Sequence, residues 1–141
     1  MKRKASAVWN GDLKTGKGSI STDSGTLSKT PYSFSTRFES GQGTNPEELV
    51  AAAHAGCFTM ALSAELGKLG LTPESLSTTA TVTLDRVDGA FAVTESHLEV
   101  VAKVPGASAE ALTQAARAAE TGCPISKLLN ARITMNAKLE A

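Results

Sequence analysis

The spacing of apolar and polar positions changes along the chain, and the changes mark out its elements. Between Ala5 and Ser40 apolar residues come in short groups divided by turn-forming clusters. Ala7-Val8-Trp9 reads as a strand stopped by Asn10-Gly11-Asp12, Gly16-Lys17-Gly18 leads into a second strand at Ser19–Thr22, and Asp23-Ser24-Gly25 turns again. Tyr32-Ser33-Phe34-Ser35 alternates as a half-buried strand does, with Phe38 continuing nearby. These segments predict a small antiparallel meander.

Ser40-Gly41-Gln42-Gly43 is a flexible joint into a long helix that runs to Gly70. Asn45 suits the N-cap, Pro46 the first helical position, and Glu48 stands three residues after Asn45 as in a capping box. Gly70 followed by Pro73 ends it. From Leu49 to Ala64 no residue carries a formal charge. A membrane span needs about 20 apolar residues, so an interior helix of a soluble protein is the better reading. Such a helix must be covered on every side. Small residues at Ala52, Ala53, Gly56 and Ala64, with Leu49 and Met60, allow a second helix to approach closely, which points to a homodimer with two of these helices packed together.

Beyond the helix, Ser75 to Val87 alternates across Ala80, Val82 and Leu84, Asp88-Gly89 is a hairpin turn, and Ala90 to Val104 is the return strand. His97 on that strand is a surface or strand-edge histidine. Ser108 caps a helix over Ala109–Glu120, Cys123-Pro124 opens a short helix through Leu129, and Ala131 to Leu139 alternates as a final strand. The order describes an α+β fold with antiparallel sheets and a long central helix, in one domain over residues 1–141.

Composition narrows the function classes. Fourteen basic and fourteen acidic residues cancel, so no global field draws the chain to nucleic acid or to an anionic membrane. Lys2-Arg3-Lys4 precedes no apolar run and is not a signal peptide, so the cytoplasm is the expected compartment. Cys57 and Cys123 fit neither a C-x-x-C motif nor a zinc framework, and in a reducing cytosol a permanent disulfide between them is not expected.

A thiol becomes a nucleophile when a cation or helix N-terminus lowers its pKa and substrate can reach it. Cys57 lies three turns into its helix, where the dipole contributes little, so its activator must come from elsewhere. Arg3, Arg37, Arg86, Arg117 and Arg132 are the arginines available, and composition does not choose among them. At about 100° per residue Glu47 falls about 80° from Cys57 around the axis and Glu48 on the opposite face. Glu47 is about 15 Å from Cys57 along the axis, so only a long side chain lying between them could contact both. Favouring the positive end of the helix dipole is the simpler role for Glu47. His54 falls within about 60° of Cys57, yet no Asn or Asp is placed to orient it, and a satisfied buried histidine is the reading preferred. Cys123, at a helix start, suits a resolving cysteine. Two inert buried thiols remain the competing account.

The run T-R-F-E-S-G-Q-G-T-N-P-E-E-L-V-A-A-A-H-A-G-C-F-T-M-A-L, with T-G-C-P-I-S-K-L-L downstream, closely resembles the OsmC/Ohr family of thiol-dependent organic hydroperoxide reductases. Tyr32, the Asn-Pro-Glu-Glu-Leu run, Ala53-His54-Ala55 and Val8-Trp9-Asn10-Gly11-Asp12 look like its osmotically inducible OsmC branch. The resemblance implies an intertwined homodimer with its site at the subunit interface. It implies Cys57 as the peroxidatic cysteine, Cys123 as the resolving one, Arg37 as the thiolate-activating cation and Glu47 as the carboxylate that orients Arg37. It further implies reduction of organic hydroperoxides to alcohols through a Cys57 sulfenic acid and a Cys57–Cys123 disulfide, in defence against oxidative or osmotic stress. A lipoyl-type or other small dithiol would return the electrons, with no metal, haem or flavin. Phe58, Met60, Leu49 and Val50 would favour an alkyl peroxide. A general thiol–disulfide reductase or redox sensor, and a non-enzymatic small-molecule-binding dimer, are the alternatives.

Overall fold

A computed structural model describes residues 1–141. The chain divides into two compact units, Met1–Leu49 and Val50–Ala141.

The first unit holds a three-stranded antiparallel sheet in the order β1 (Ala5–Asn10), β2 (Lys17–Thr22), β3 (Thr30–Tyr32). Gly18 on the middle strand pairs with Trp9 on one side and Tyr32 on the other. A Cβ there would lie 2.5 Å from the Tyr32 ring and 2.6 Å from the Trp9 ring, so glycine is what lets the two aromatics close over the sheet with centroids 5.4 Å apart. The expected strand through Phe34 and Ser35 is not formed. The chain leaves β3 at Tyr32 and turns into a short helix, α1 (Phe34–Phe38). Ser33 and Thr36 form a reciprocal capping box at its start, which outweighs a two-residue alternation too short to hold a strand.

Helix α2 (Pro46–Lys68) starts where the sequence places it. The Asn45 side chain accepts from the Glu48 N–H at 2.7 Å, while its amide donates to the Thr36 carbonyl and ties the helix start to α1. The Glu48 carboxylate accepts from the Thr44 hydroxyl, one residue ahead of the cap, so its partner is not the Asn45 backbone expected of a capping box. At the far end the Leu71 N–H closes back on the Leu66 carbonyl.

In the second unit β4 (Ser75–Val87) and β5 (Ala90–Lys103) form the expected hairpin. Asp88 and Gly89 both have positive φ, 51° and 81°, the combination a two-residue type I′ turn requires. β6 (Arg132–Leu139) adds to the far side of β5 but runs parallel to it, a departure from the all-antiparallel expectation. Parallel pairing needs a crossover, which α3 (Ala109–Gly122) and α4 (Pro124–Leu128) supply. β5 is therefore the central strand, and His97 is half-buried there, bonded to Thr134 and Glu99, rather than at a strand edge.

Even-numbered residues of β5 face the helices: Ser96, Leu98, Val100 and Ala102 are buried. They meet Phe58, Leu62 and Leu66 of α2 and Leu112, Ala115, Ala116 and Ala119 of α3, and Cys123 completes this core. His54, Phe58, Leu62 and Leu66 recur every four residues, the spacing of one helix face. Ala52, Ala53, Gly56, Met60 and Ala64 are exposed in the single chain. By length and composition α2 could cross a membrane. Its buried face, which includes a histidine hydrogen-bonded through both ring nitrogens, packs within the protein as a core helix does.

Candidate active site

Two pairs of the candidate side chains are brought together, one in each unit. In the second unit the sulfurs of Cys57, on α2, and Cys123, between α3 and α4, are 2.9 Å apart and both thiols are free. A disulfide requires them to close by about 0.9 Å. Cys57 is part-exposed and Cys123 fully buried, so a reagent from solvent meets Cys57 first.

Burial pushes the Cys57 thiol above its ordinary value, and the hydrogen bond with Cys123 acts in the same direction. A backbone hydrogen bond from Ile125 offsets only part of this. Within Val50–Ala141 none of the groups acting on Cys57 is a cation. Burial also acts upward on Cys123, but hydrogen bonds from Cys57, from the backbone N–H groups of Ser126 and Ile125 and from the Ser126 hydroxyl together outweigh it, leaving that thiol below its ordinary value. Ionisation is thus favoured at the buried sulfur and disfavoured at the accessible one.

In the first unit Arg37 donates to Glu47 through two nitrogens, Nε at 3.0 Å and Nη2 at 2.7 Å to Oε1. This planar, two-point contact fixes the guanidinium's orientation as a lysine could not. The Glu47 side chain is 13% exposed and that of Arg37 37%, so the carboxylate is the anchored partner. The capped start of α2 holds Glu47, and α1 presents Arg37. The guanidinium also lies 5.3 Å from the Phe38 ring centroid. Beside it Trp9, Leu13, Tyr32, Phe34 and Phe38 line a cavity of about 270 Å³ in which Arg37 and Ser33 are the polar members. Trp9 is half-buried on this wall.

The apolar residues expected around the thiol divide differently. Phe58 is wholly buried in the core of the second unit, whereas Met60 is 78% exposed. Helix phase explains this, because Phe58 shares the buried face of His54 and Leu62.

His54 is the satisfied buried histidine expected. It is 0% exposed, with Nδ1 2.6 Å from Ser96 Oγ and Nε2 2.7 Å from Ser126 Oγ. Burial lowers its pKa. Sequence reasoning missed the two serines. Ser126 had a signal, standing three residues after Cys123 on a helical turn, but Ser96 comes to His54 only through the packing of β5. No group of three or more His, Cys, Asp or Glu is arranged to hold a metal ion.

Comparison with known proteins bears on this arrangement. Residues 39–138 match the family model described as OsmC-like protein. The chain is 50% identical over 139 residues to "Peroxiredoxin OsmC" of Escherichia coli (strain K12), covering 99% of this chain and 97% of that protein. Among solved structures, an OsmC-like protein of Mycoplasma pneumoniae superposes with a TM-score of 0.78 at 17% identity, covering 100% of this chain and 99% of that one. The organic hydroperoxide resistance protein OhrB of Bacillus subtilis gives 0.69 at 24% identity, with 97% and 98% covered. These two structural likenesses speak to the fold.

Proposed function

Because this chain belongs to the OsmC-like protein family, we propose that it is a thiol peroxidase that reduces organic hydroperoxides to alcohols. Its half-identical relative carries the name peroxiredoxin, and the observation that supports the chemistry here is the 2.9 Å approach of an accessible thiol to a buried one. Cys57 is the peroxidatic residue. Its thiolate attacks the terminal peroxide oxygen, the O–O bond breaks, an alcohol leaves and Cys57 becomes a sulfenic acid. Cys123 condenses with it, forming the Cys57–Cys123 disulfide and water. A dithiol of lipoyl or similar type then restores both thiols by exchange.

Arg37 is the missing activator. Burial works against a Cys57 thiolate, so a cation is required, and Glu47 already holds the Arg37 guanidinium in one orientation. Arg37 also donates hydrogen bonds to the peroxide oxygens as charge develops there. The aromatic cavity beside Arg37 takes the alkyl or aryl part of the substrate, which selects organic peroxides over hydrogen peroxide. The bare face of α2, from Ala52 to Ala64, packs against the same helix of a second copy, giving a cytoplasmic homodimer with its sites at the subunit interface. The family match crosses the Leu49/Val50 boundary, which supports treating both units as one functional domain.

The test is consumption of cumene hydroperoxide in the presence of a dithiol. Turnover is expected for the wild type and is lost in Cys57→Ser. Equal kcat/KM for hydrogen peroxide would remove the role given to the aromatic cavity.

A further inference from the structure

The turn between β1 and β2, residues 11–16, takes no part in the thiol chemistry, yet a single carboxylate holds it in shape. Asp12 Oδ1 accepts from the backbone N–H groups of Lys14 and Thr15 at 2.9 and 2.8 Å, and Oδ2 accepts from the Thr15 hydroxyl at 2.6 Å. The Gly16 N–H closes the turn on the Asp12 carbonyl at 2.9 Å. Both ends of the turn are fastened to Trp9. The indole N–H donates to the Gly11 carbonyl at 3.0 Å, and a Cβ on Gly16 would come within 2.9 Å of the same nitrogen, so glycine there lets the turn close against the ring. An aspartate bonded to the backbone two and three residues on is enough to make such a turn, and an apolar side chain adds nothing to it. The turn nevertheless carries Leu13, 64% exposed, on the wall of the aromatic cavity that Arg37 also lines.

We infer that Leu13 is a specificity-determining residue of the peroxidase reaction, packing on the organic part of a bulky hydroperoxide, and that Asp12 is the positioning residue that keeps it there. The rest of the apolar wall is fixed. Trp9 and Tyr32 stand on strands paired through β2 with their rings 5.4 Å apart, and Phe34 and Phe38 lie on α1 with theirs 4.8 Å apart. Leu13 is the one apolar member carried outside a strand or helix. The Trp9 N–H already has its partner in Gly11, so an apolar ligand leaves no donor unpaired there. A hydroperoxide held by its oxygens at Arg37 thus leaves its organic group to the rings and to Leu13.

Exposure is what makes Leu13 responsive to a ligand. A side chain already in the core gains nothing when substrate binds, whereas most of the Leu13 surface is still in water and can be covered. Covering a surface of that size favours binding by about fivefold to tenfold. Hydrogen peroxide has no organic group with which to cover it. Asp12 acts only through the turn, where both its carboxylate oxygens are engaged. Removing that carboxylate frees the Lys14 and Thr15 N–H groups and releases Leu13 from the wall.

The inference rests on the peroxidase reading, and the experiment separates the two. kcat/KM is measured on the full chain for cumene hydroperoxide and for hydrogen peroxide, with a dithiol as reductant. Leu13→Ala is expected to lower the ratio of cumene hydroperoxide to hydrogen peroxide about fivefold or more, with the loss carried by KM. Leu13→Met, of similar volume, should restore the ratio. Asp12→Ala should lower it as Leu13→Ala does, and Asp12→Asn, which keeps an acceptor for the two N–H groups, should recover most of it. Asp12→Ala combined with Leu13→Ala should fall no further than either alone, because both remove the same contact. A defect of folding alone would slow both peroxides together and leave the ratio where it was. An unchanged ratio in Leu13→Ala overturns the specificity role, and an additive double variant overturns the positioning role of Asp12. A wild type that turns over neither peroxide overturns the peroxidase reading and the role of Leu13 with it.

Discussion

Arg37 and Glu47 meet through two guanidinium nitrogens, with the shorter contact 2.7 Å, although one sits on a five-residue helix and the other in the first turn of a 23-residue one. The two-point contact fixes the orientation of the guanidinium. Glu47→Gln should cost well under about 1 kcal/mol of stability, since Arg37 is partly exposed and screened by water. It should cost activity by about tenfold or more, because the guanidinium loses its orienting anchor. Denaturant midpoints and kcat/KM measured on the same preparation separate the two effects. A variant that loses stability and keeps activity would remove Glu47 from the site.

The Cys57 thiol is pushed up by burial and by Cys123, which makes its ionisation depend on an added cation. Removing Arg37 should therefore lower the thiolate fraction at neutral pH. A thiol whose pKa is raised regains its thiolate only as pH climbs, so the oxidation rate of Arg37→Ala should be about 100-fold down at pH 7 and recover toward pH 9. Thiolate absorbance near 240 nm, followed in Cys123→Ser with and without Arg37→Ala, gives the shift directly. An unchanged titration would mean that Arg37 does not act on Cys57.

His54 makes stability sensitive to acid. Its pKa is lowered in the folded protein, so the unfolded chain takes up a proton, at an ordinary value near 6.5, that the folded one refuses. The folded state is therefore fully stable above about pH 6.5 and loses stability as the pH falls through His54's lowered value. Denaturant midpoints from pH 7.5 to pH 5 should show this loss, and a folded His54→Gln should flatten it. The same slope in the variant would assign the effect to other groups.

Gly56 lies on the bare face of α2, and a Cβ added there meets nothing within 4 Å in the single chain. Arginine is the better helix former, so Gly56→Arg should leave each chain folded. It should still disrupt a dimer built on close approach of two such helices. Sedimentation should give a dimer for the wild type and a folded monomer for the variant. A wild-type monomer at micromolar concentration would contradict the assembly.

Much of the fold and of the site is legible in the residues themselves. Asn45-Pro46 announces the start of α2, and Asp88-Gly89 with strict alternation on both sides announces the β4–β5 hairpin. Helix phase distinguishes Glu47 from Glu48, and the two do part: Glu47 holds Arg37 and Glu48 holds Thr44. What escapes a reading of the residues does so for physical causes. Tyr32 to Ser35 has strand periodicity over too few residues, and the Ser33–Thr36 capping box decides for helix. Alternation in β6 predicts a strand but not its direction, which the α3–α4 crossover sets. Ser96 reaches His54 from 42 positions along the chain, a contact no local pattern encodes.

The central claim is that Cys57 takes oxygen from an organic hydroperoxide and Cys123 completes the cycle. Mass spectrometry after one equivalent of cumene hydroperoxide tests it most directly. The wild type should lose two hydrogens per chain and yield a Cys57–Cys123 peptide pair, and Cys123→Ser should gain one oxygen confined to Cys57. A protein left unmodified, or oxidised at Cys123 with Cys57 untouched, would contradict the account.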